Sequence, residues 1–428
     1  MGISVNLAPS RLIESSLIDK NGALTESYPV PAKFTACHLR TYDLVIIGGG
    51  CAGLSLAMRL AALGPKCPRV LILERRVRYS NDRTWCFWGD SSSVVENLIG
   101  HSWSTVKVRT PLRQVSVNCS GTPYQTISGE AFYQAALNRI SEAGQIDLVL
   151  NAVPLAEPSR IDHHWRLDTS EGMFQGKMIV DTRPGLQPRA GGALLWQSFS
   201  GQEIECDDDV FDPSSVDLMD FTGVKAGRVD FSYVVPFSRN RALIEATVFG
   251  PDPVGPHDLA IDLQNYIARR VRRARFRVLR SENGILPMGS VPSEKRLDAT
   301  YIRAGLTAGG ARASTGYAFQ RIQSWADQCA RSIAEGRLPV SHKSDPLVLQ
   351  SLDYLFISVI RSHPEIAPSL FLSLFENTQP ERMIRFLSDS GNLSDYAAIA
   401  CALPVAPFLR EIPTAMLRKL NQLMGRVT

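Results

Sequence analysis

The sequence predicts an α/β chain with a parallel-sheet domain, an inserted mixed β-sheet domain and a C-terminal helical region. Three observations predict it. A strand, glycine loop, helix and second strand follow one another from Tyr42 to Glu74. Short alternating segments fill residues 190 to 295. From Asp345 onward apolar residues recur at helical spacing. The expected division is an N-terminal extension over 1–40, a discontinuous first domain over 41–190 and 280–340, a β-rich domain over 191–279, and helices over 341–428.

The first unit carries the most information. Leu44 to Ile47 is a short, β-branched apolar run, as in a buried parallel strand. It ends in a G-x-G-x-x-G made by Gly48, Gly50 and Gly53. Leu54, Leu56, Ala57, Leu60, Ala61 and Leu63 then mark a helix that Gly64 and Pro65 close. The strand Val70 to Leu73 follows and ends in Glu74. This order is Rossmann-like. Gly48 permits the tight turn, Gly50 lets a pyrophosphate approach the backbone, and Gly53 lets the helix seat on the strand. The helix N-terminus offers N–H groups to phosphate, and Glu74 stands where an acid accepts from ribose hydroxyls.

Composition narrows the classes. The chain has 428 residues, 44% of them hydrophobic, and a net charge of +4. Its mean hydropathy of -0.05 is that of an ordinary globular protein. No basic block interleaved with aromatics points to nucleic acid. The tract Arg269–Arg277 is read on a helix with Tyr266, Ile267, Val271 and Phe276, either as a solvated face or as a contact for anionic lipid. Eight scattered cysteines without C-x-x-C, and no secretory signal, predict reduced thiols in the cytoplasm. Seven histidines show no ligand spacing, so no structural metal is expected. No apolar stretch reaches the length of a transmembrane helix.

After Glu74, RRVRYSNDRTWCFWGD has no hydrophobic period and reads as a functional loop, with Arg83 and Trp85 facing cofactor or substrate. Segments around Val106–Val108 and Val115–Val117 alternate as antiparallel strands do. Ser128 caps a helix through Ile140. Trp165–Asp168 pairs with Gly176–Val180, which runs into Asp181, as in a second pass beneath the nucleotide. Arg228–Val235 and Arg241–Phe249 form a hairpin. Within it Glu245 lies between Ile244 and Ala246, where a carboxylate is costly unless partnered or functional. Asp220 is a similar case. Gly305 to Tyr317 is a small-residue loop, including Gly309, Thr315 and Gly316, that enters a helix from Phe319. The C-terminal helices are rich in Phe and Leu, enough to roof an apolar tunnel or touch a bilayer surface.

The segments DLVIIGGGCAGLSLA, NDRTWCFW, VDTRPG, WQSFSGQEIE, SVDLMDF, FSYVVPFSRNRALIEATVF, GILPMG and AGGARASTGYAFQRI occur in one order. Together they resemble the flavin-dependent lycopene cyclase family over roughly residues 42 to 410. The resemblance implies a Rossmann-like FAD-binding domain, reduced FAD with NAD(P)H as reductant, and peripheral membrane work on a linear carotenoid. It implies redox-neutral closure of a β-ionone ring, begun by protonating a terminal double bond. Glu245 matches the family's functional glutamate, and Asp220 is the second candidate catalytic acid. FAD contacts are expected from Gly48, Gly50, Gly53, Glu74, Arg83, Asp181, Gly309, Thr315 and Gly316. Trp85, Trp88 and Tyr317 are candidates for the substrate and its cation. Ala246 stands where the family commonly has an acid. Whether flavin or Glu245 gives the proton stays open. The competing readings are a flavin-dependent monooxygenase of an apolar isoprenoid or aromatic, and a non-catalytic flavin-binding or membrane-scaffold protein.

Overall fold

A computed structural model describes residues 41–89, 94–184, 193–222, 228–289 and 298–424. The extension over 1–40 lies outside the described residues.

The first sheet orders its strands Ile146–Val149, Val70–Leu73, Thr41–Ile47 and Gly172–Asp181 in parallel, with Tyr301–Arg303 also parallel beside the last. His164–Thr169 and Ser159–Ile161 extend it antiparallel. Both faces are covered, which explains the unbroken apolar run of the first strand. Leu44 and Ile46 pack beneath the helices Cys51–Ala61, Gly129–Ala143 and Phe319–Ala334, while Val45 and Ile47 meet Trp165 and Leu167. Gly53 seats the first helix. A Cβ there would stand 2.0 Å from the Gly48 carbonyl oxygen.

The second sheet has seven strands, in the order Phe276–Met288, Leu195–Cys206, Arg241–Gly250, Val229–Pro236, Ser215–Asp220, Thr105–Arg109 and Gln114–Asn118. It is wider than 191–279, because the Thr105–Arg109 hairpin joins it in parallel to Ser215–Asp220. Strict alternation divides its faces. Ala242, Ile244 and Ala246 pack against the helix Pro256–Val271. Leu243, Glu245, Thr247 and Phe249 face the other way, into a cavity.

Two features close that cavity. A small sheet of Thr84–Trp88, Tyr124–Ser128 and His101–Trp103 lies on one side. Helices from Leu347 to Met424 form the other wall. They are fastened by Arg312, which is fully buried and pairs in bidentate fashion with Asp353 at 3.0 and 3.1 Å.

The basic tract is not one helix. The helix ends at Val271, Arg272 takes a φ of 54°, and Phe276 begins a strand. Arg270 points inward to Asp217 at 2.6 Å, and Arg277 pairs with Glu205.

Candidate active site

One cavity of about 1150 Å³ runs from the glycine loop to the C-terminal helices. Gly48, Gly50 and Glu74 line one end, and Leu352, Phe371 and Phe408 line the other. Between them lie Glu245, Glu282, Trp85 and a set of tyrosines.

At the glycine end, Gly48 has a φ of 100° and a Cβ there would strike Thr182 Oγ1 at 2.8 Å. Gly50 faces open space, with nothing within 4 Å of a Cβ. No side chain caps the helix that starts at Cys51, and its first residues, Cys51 and Ala52, line the cavity end. Glu74 is buried at the strand tip. Its Oε2 accepts from the Gly49 N–H at 2.6 Å and its Oε1 from the Arg76 N–H at 2.8 Å. The loop Ser314–Tyr317 approaches from the opposite side, where Gly316 has a φ of 69° and faces Gln197. The Gln197 Oε1 is buried with no hydrogen-bond partner, an orphan acceptor of the kind that a bound group satisfies.

At the centre, Glu245 and Glu282 stand on the two strands that flank Leu195–Cys206, and both are in register with Gly201. Neighbouring strands are about 4.8 Å apart, so two long side chains meet only if the residue between them is small. A Cβ on Gly201 would lie 2.7 Å from Glu245 Cγ. The glycine therefore opens the space in which the two carboxyls converge. Both residues are buried. Burial, and then the Glu282 charge and hydrogen bond, push the Glu245 carboxyl well above the usual carboxylate range. Glu282 accepts from the Thr84 hydroxyl at 2.7 Å and pairs with Arg280. Arg280 also holds Glu203 at 2.6 Å. Arg83 is near enough to oppose the rise at Glu245, and it donates to the Asn283 carbonyl.

Beside the carboxyls are neutral phenols. The Tyr124 and Tyr233 hydroxyls are 3.0 Å apart, and burial pushes both, and Tyr317, above the ordinary phenol value. Burial likewise pushes the Cys86 thiol up to about 12. Trp85 stacks on Phe319 with ring centroids 5.6 Å apart and meets Phe132 edge-on.

The structure thus brings Gly48, Gly50, Glu74, Arg83, Trp85, Glu245, Thr315, Gly316 and Tyr317 to one cavity wall. Other expected residues lie elsewhere. Asp220 is not on the wall; its carboxylate accepts from the Thr222 N–H and hydroxyl and closes a turn. Asp181 is buried beneath the wall, where it holds Arg183 at 2.7 Å and accepts from the Tyr301 hydroxyl at 2.7 Å. Thr182 and Arg183 line the cavity in its place. Gly309 packs toward His342, and Gly305 lines the cavity instead. Trp88 sits behind Tyr124, with ring centroids 4.6 Å apart. Gly53 acts in packing, beneath the loop.

Sequence reasoning missed Glu282, Arg280, Gln197, Tyr124 and Tyr233. Glu282 lies in RSENGILPMG, which looks like a polar surface strand. The only local sign is that Gly284, two residues on, faces the Phe199 ring, at 2.6 Å from a would-be Cβ.

Residues 43–412 match the family described as Lycopene cyclase protein. The chain belongs to the lycopene cyclase family. A lycopene beta-cyclase of Pantoea ananas is 26% identical over 298 residues, covering 67% of this chain and 73% of its own. One from a Paracoccus strain is 27% identical over 308 residues, covering 68% and 73%. A chloroplastic neoxanthin synthase of Solanum lycopersicum is 24% identical over 322 residues, covering 69% and 61%. Among solved structures, a flavin-dependent brominase superposes with a TM-score of 0.57 at 15% identity, over 85% of this chain and 97% of its own. A geranylgeranyl bacteriochlorophyll reductase-like protein of Thermoplasma acidophilum gives 0.53 at 12%, over 88% and 99%. These two share this chain's fold, a mixed α/β arrangement on a Rossmann-type sheet. In this lycopene cyclase family member the segments that carried the resemblance, from the glycine loop to STGYAF, surround one cavity.

Proposed function

We propose that this chain is an FAD-dependent lycopene cyclase, an intramolecular lyase that closes a β-ionone ring on a linear polyene without net redox change. The observation that carries the reading is a buried carboxyl that meets a second one over Gly201, its pKa pushed by burial well above the usual carboxylate range, in a largely apolar cavity that opens onto the glycine loop. Water offers no such acid. An apolar site favours the neutral form of a carboxyl, which is the form that can donate a proton.

The residues fit FAD. Gly48, Gly50 and the N-terminus of Cys51–Ala61 suit the pyrophosphate, and Glu74 suits the ribose. The Gln197 orphan acceptor beside Gly316 suits a ring N–H. Bound in reduced form, with NAD(P)H as the reductant, FAD supplies an electron-rich ring that stabilises positive charge nearby.

The chain's own groups supply the rest. Glu245 donates its proton to the terminal double bond, giving a tertiary cation. The adjacent double bond attacks it, the six-membered ring closes, and loss of a proton leaves the β-ionone end. Trp85 and Tyr317 line the cavity, and aromatic rings there suit a cation. The apolar helices exclude water that would trap it as an alcohol.

The substrate arrives from a membrane surface. Among the described residues no single helix is long and apolar enough to cross a bilayer. Val405, Leu409 and Met416 are exposed along one face of the last helix, while Val405 and Phe408 line the cavity end. An apolar stripe at the mouth of an apolar cavity suits contact with lipid. The test is expression in cells that accumulate lycopene, with pigment analysis. A cyclic carotene supports the reading; unchanged lycopene with flavin-loaded protein overturns it.

A further inference from the structure

Glu245 does not stand alone in the cavity. Its carboxyl meets Glu282 over Gly201, across a strand that separates the two residues in the sheet. Two carboxylates so placed cannot both be ionised at low cost. The environment also decides which one keeps the proton. Glu282 has the ion pair with Arg280 and the Thr84 hydroxyl, whereas Glu245 sits over the cavity among Leu243, Thr247 and Phe249.

We propose that Glu282 is a positioning residue of the cyclisation: its carboxylate, fixed by Arg280 and Thr84, keeps the proton on Glu245 and orients that carboxyl in the cavity. The inference rests on the cyclase reading and deepens it. The pair works as one acid. Before the reaction a single proton lies between the two carboxyls, on Glu245. Transfer to the polyene forms a C–H bond, breaks the Glu245 O–H bond and leaves two facing carboxylates. Their repulsion favours capture of one proton, which balances the one the cation releases. The charged and titratable groups that face the pair are Arg280, Arg83, Glu203, Cys86 and Tyr233. Arg280 is shared between Glu282 and Glu203, so it compensates Glu282 without fully neutralising the site.

The test is the pH dependence of kcat/KM on reduced, flavin-loaded protein. Activity needs Glu245 protonated, so it falls as pH rises through the Glu245 pKa. Glu282→Gln keeps the size and removes the charge, leaving Arg280 to favour ionised Glu245. The alkaline limb is expected to move down by about one pH unit or more. Glu282→Asp keeps the charge and is expected to move the limb back toward the wild-type position. Gly201→Ala, which drives a methyl against Glu245 Cγ, is expected to move the limb down as Glu282→Gln does. A merely structural Glu282 would lower the rate at every pH and leave the limb in place, and that result overturns the proposal. Infrared spectra of the unmutated protein give a second reading independent of how the variants fold. A protonated-carboxyl band that persists above pH 7 and vanishes in Glu245→Gln is expected; its absence from the wild type overturns the pair. If Glu245→Gln itself cyclises normally, the acid assignment fails. If it is inactive while Glu282→Gln leaves the limb unmoved, only the pair fails.

Discussion

Gly50 and Gly53 are three residues apart in one loop, yet the structure assigns them opposite roles, and alanine at each separates those roles. A Cβ on Gly53 would stand 2.0 Å from the Gly48 oxygen and 3.1 Å from Ile46 Cγ2. Non-bonded heavy atoms rest at about 3.5 Å, so the helix must move out by roughly 1.5 Å. It is not free to do so, because Arg59 ties it to Asp327 at 2.5 Å and to Gln323 at 3.1 Å. Overpacking of this kind costs about 1–3 kcal/mol, and more where the neighbour is backbone. Gly50 is the helix N-cap, with nothing within 4 Å of a Cβ. Alanine there costs the fold at most about 1 kcal/mol. It does occupy the space that the proposed FAD pyrophosphate would need. Losing one hydrogen bond to a charged phosphate costs about 1.5–3 kcal/mol, which is about a ten- to hundredfold rise in Kd. Urea unfolding of flavin-free protein and flavin titration measure both quantities. Gly53→Ala is expected to lose stability and flavin together, and Gly50→Ala to lose flavin with near-normal stability. A Gly50→Ala protein that binds FAD as tightly as wild type, or a Gly53→Ala protein of unchanged stability, refutes the reasoning.

Further outcomes follow from single contacts. His342 Nε2 accepts from the Gly305 N–H at 3.0 Å, and burial, then Arg321, lower its pKa from 6.5 to about 4. It is neutral in the fold and takes up a proton on unfolding below 6.5, so its contribution is complete above that pH and lost as pH falls toward 4. The loss is about 1.4 kcal/mol per pH unit in that window, and urea midpoints of wild type and His342→Gln at several pH values should show a shallower slope in the variant. Leu409→Glu and Met416→Glu each remove an exposed apolar group worth about 1.5–3 kcal/mol when buried in lipid. Vesicle flotation should fall for both, while flavin content stays unchanged. Glu245→Gln should retain flavin and lower ring formation by about a hundredfold or more, the usual contribution of a general acid; pigment analysis of expressing cells checks it.

The parts of the site that are local in sequence were legible in the sequence. Gly48 through Glu74 form one unit of strand, turn, helix and strand, and each residue's place follows from its neighbours. Glu245 was legible because a carboxylate between Ile244 and Ala246 conflicts with its surroundings. Its partner was not. Glu282 reaches it over Gly201 from a strand on the other side, and nothing in RVLRSEN shows which residues it will face. The acids at strand ends show the same limit. Asp220 and Asp181 look alike in the sequence, but Thr222 and Arg183 satisfy them and neither aspartate lines the cavity. The tract Arg269–Arg277 hid a helix end and a strand start, because its charge is uniform across the break at Arg272.

In the proposed function, a carboxyl in this cavity begins the reaction by giving up a proton, with no net oxidation. The most direct measurement is anaerobic turnover of lycopene in deuterated water by protein carrying reduced flavin. One solvent deuteron should be retained in the product for each ring closed, with the flavin still reduced afterwards. A product without deuterium, or one formed only with oxygen and at the cost of flavin oxidation, would contradict it.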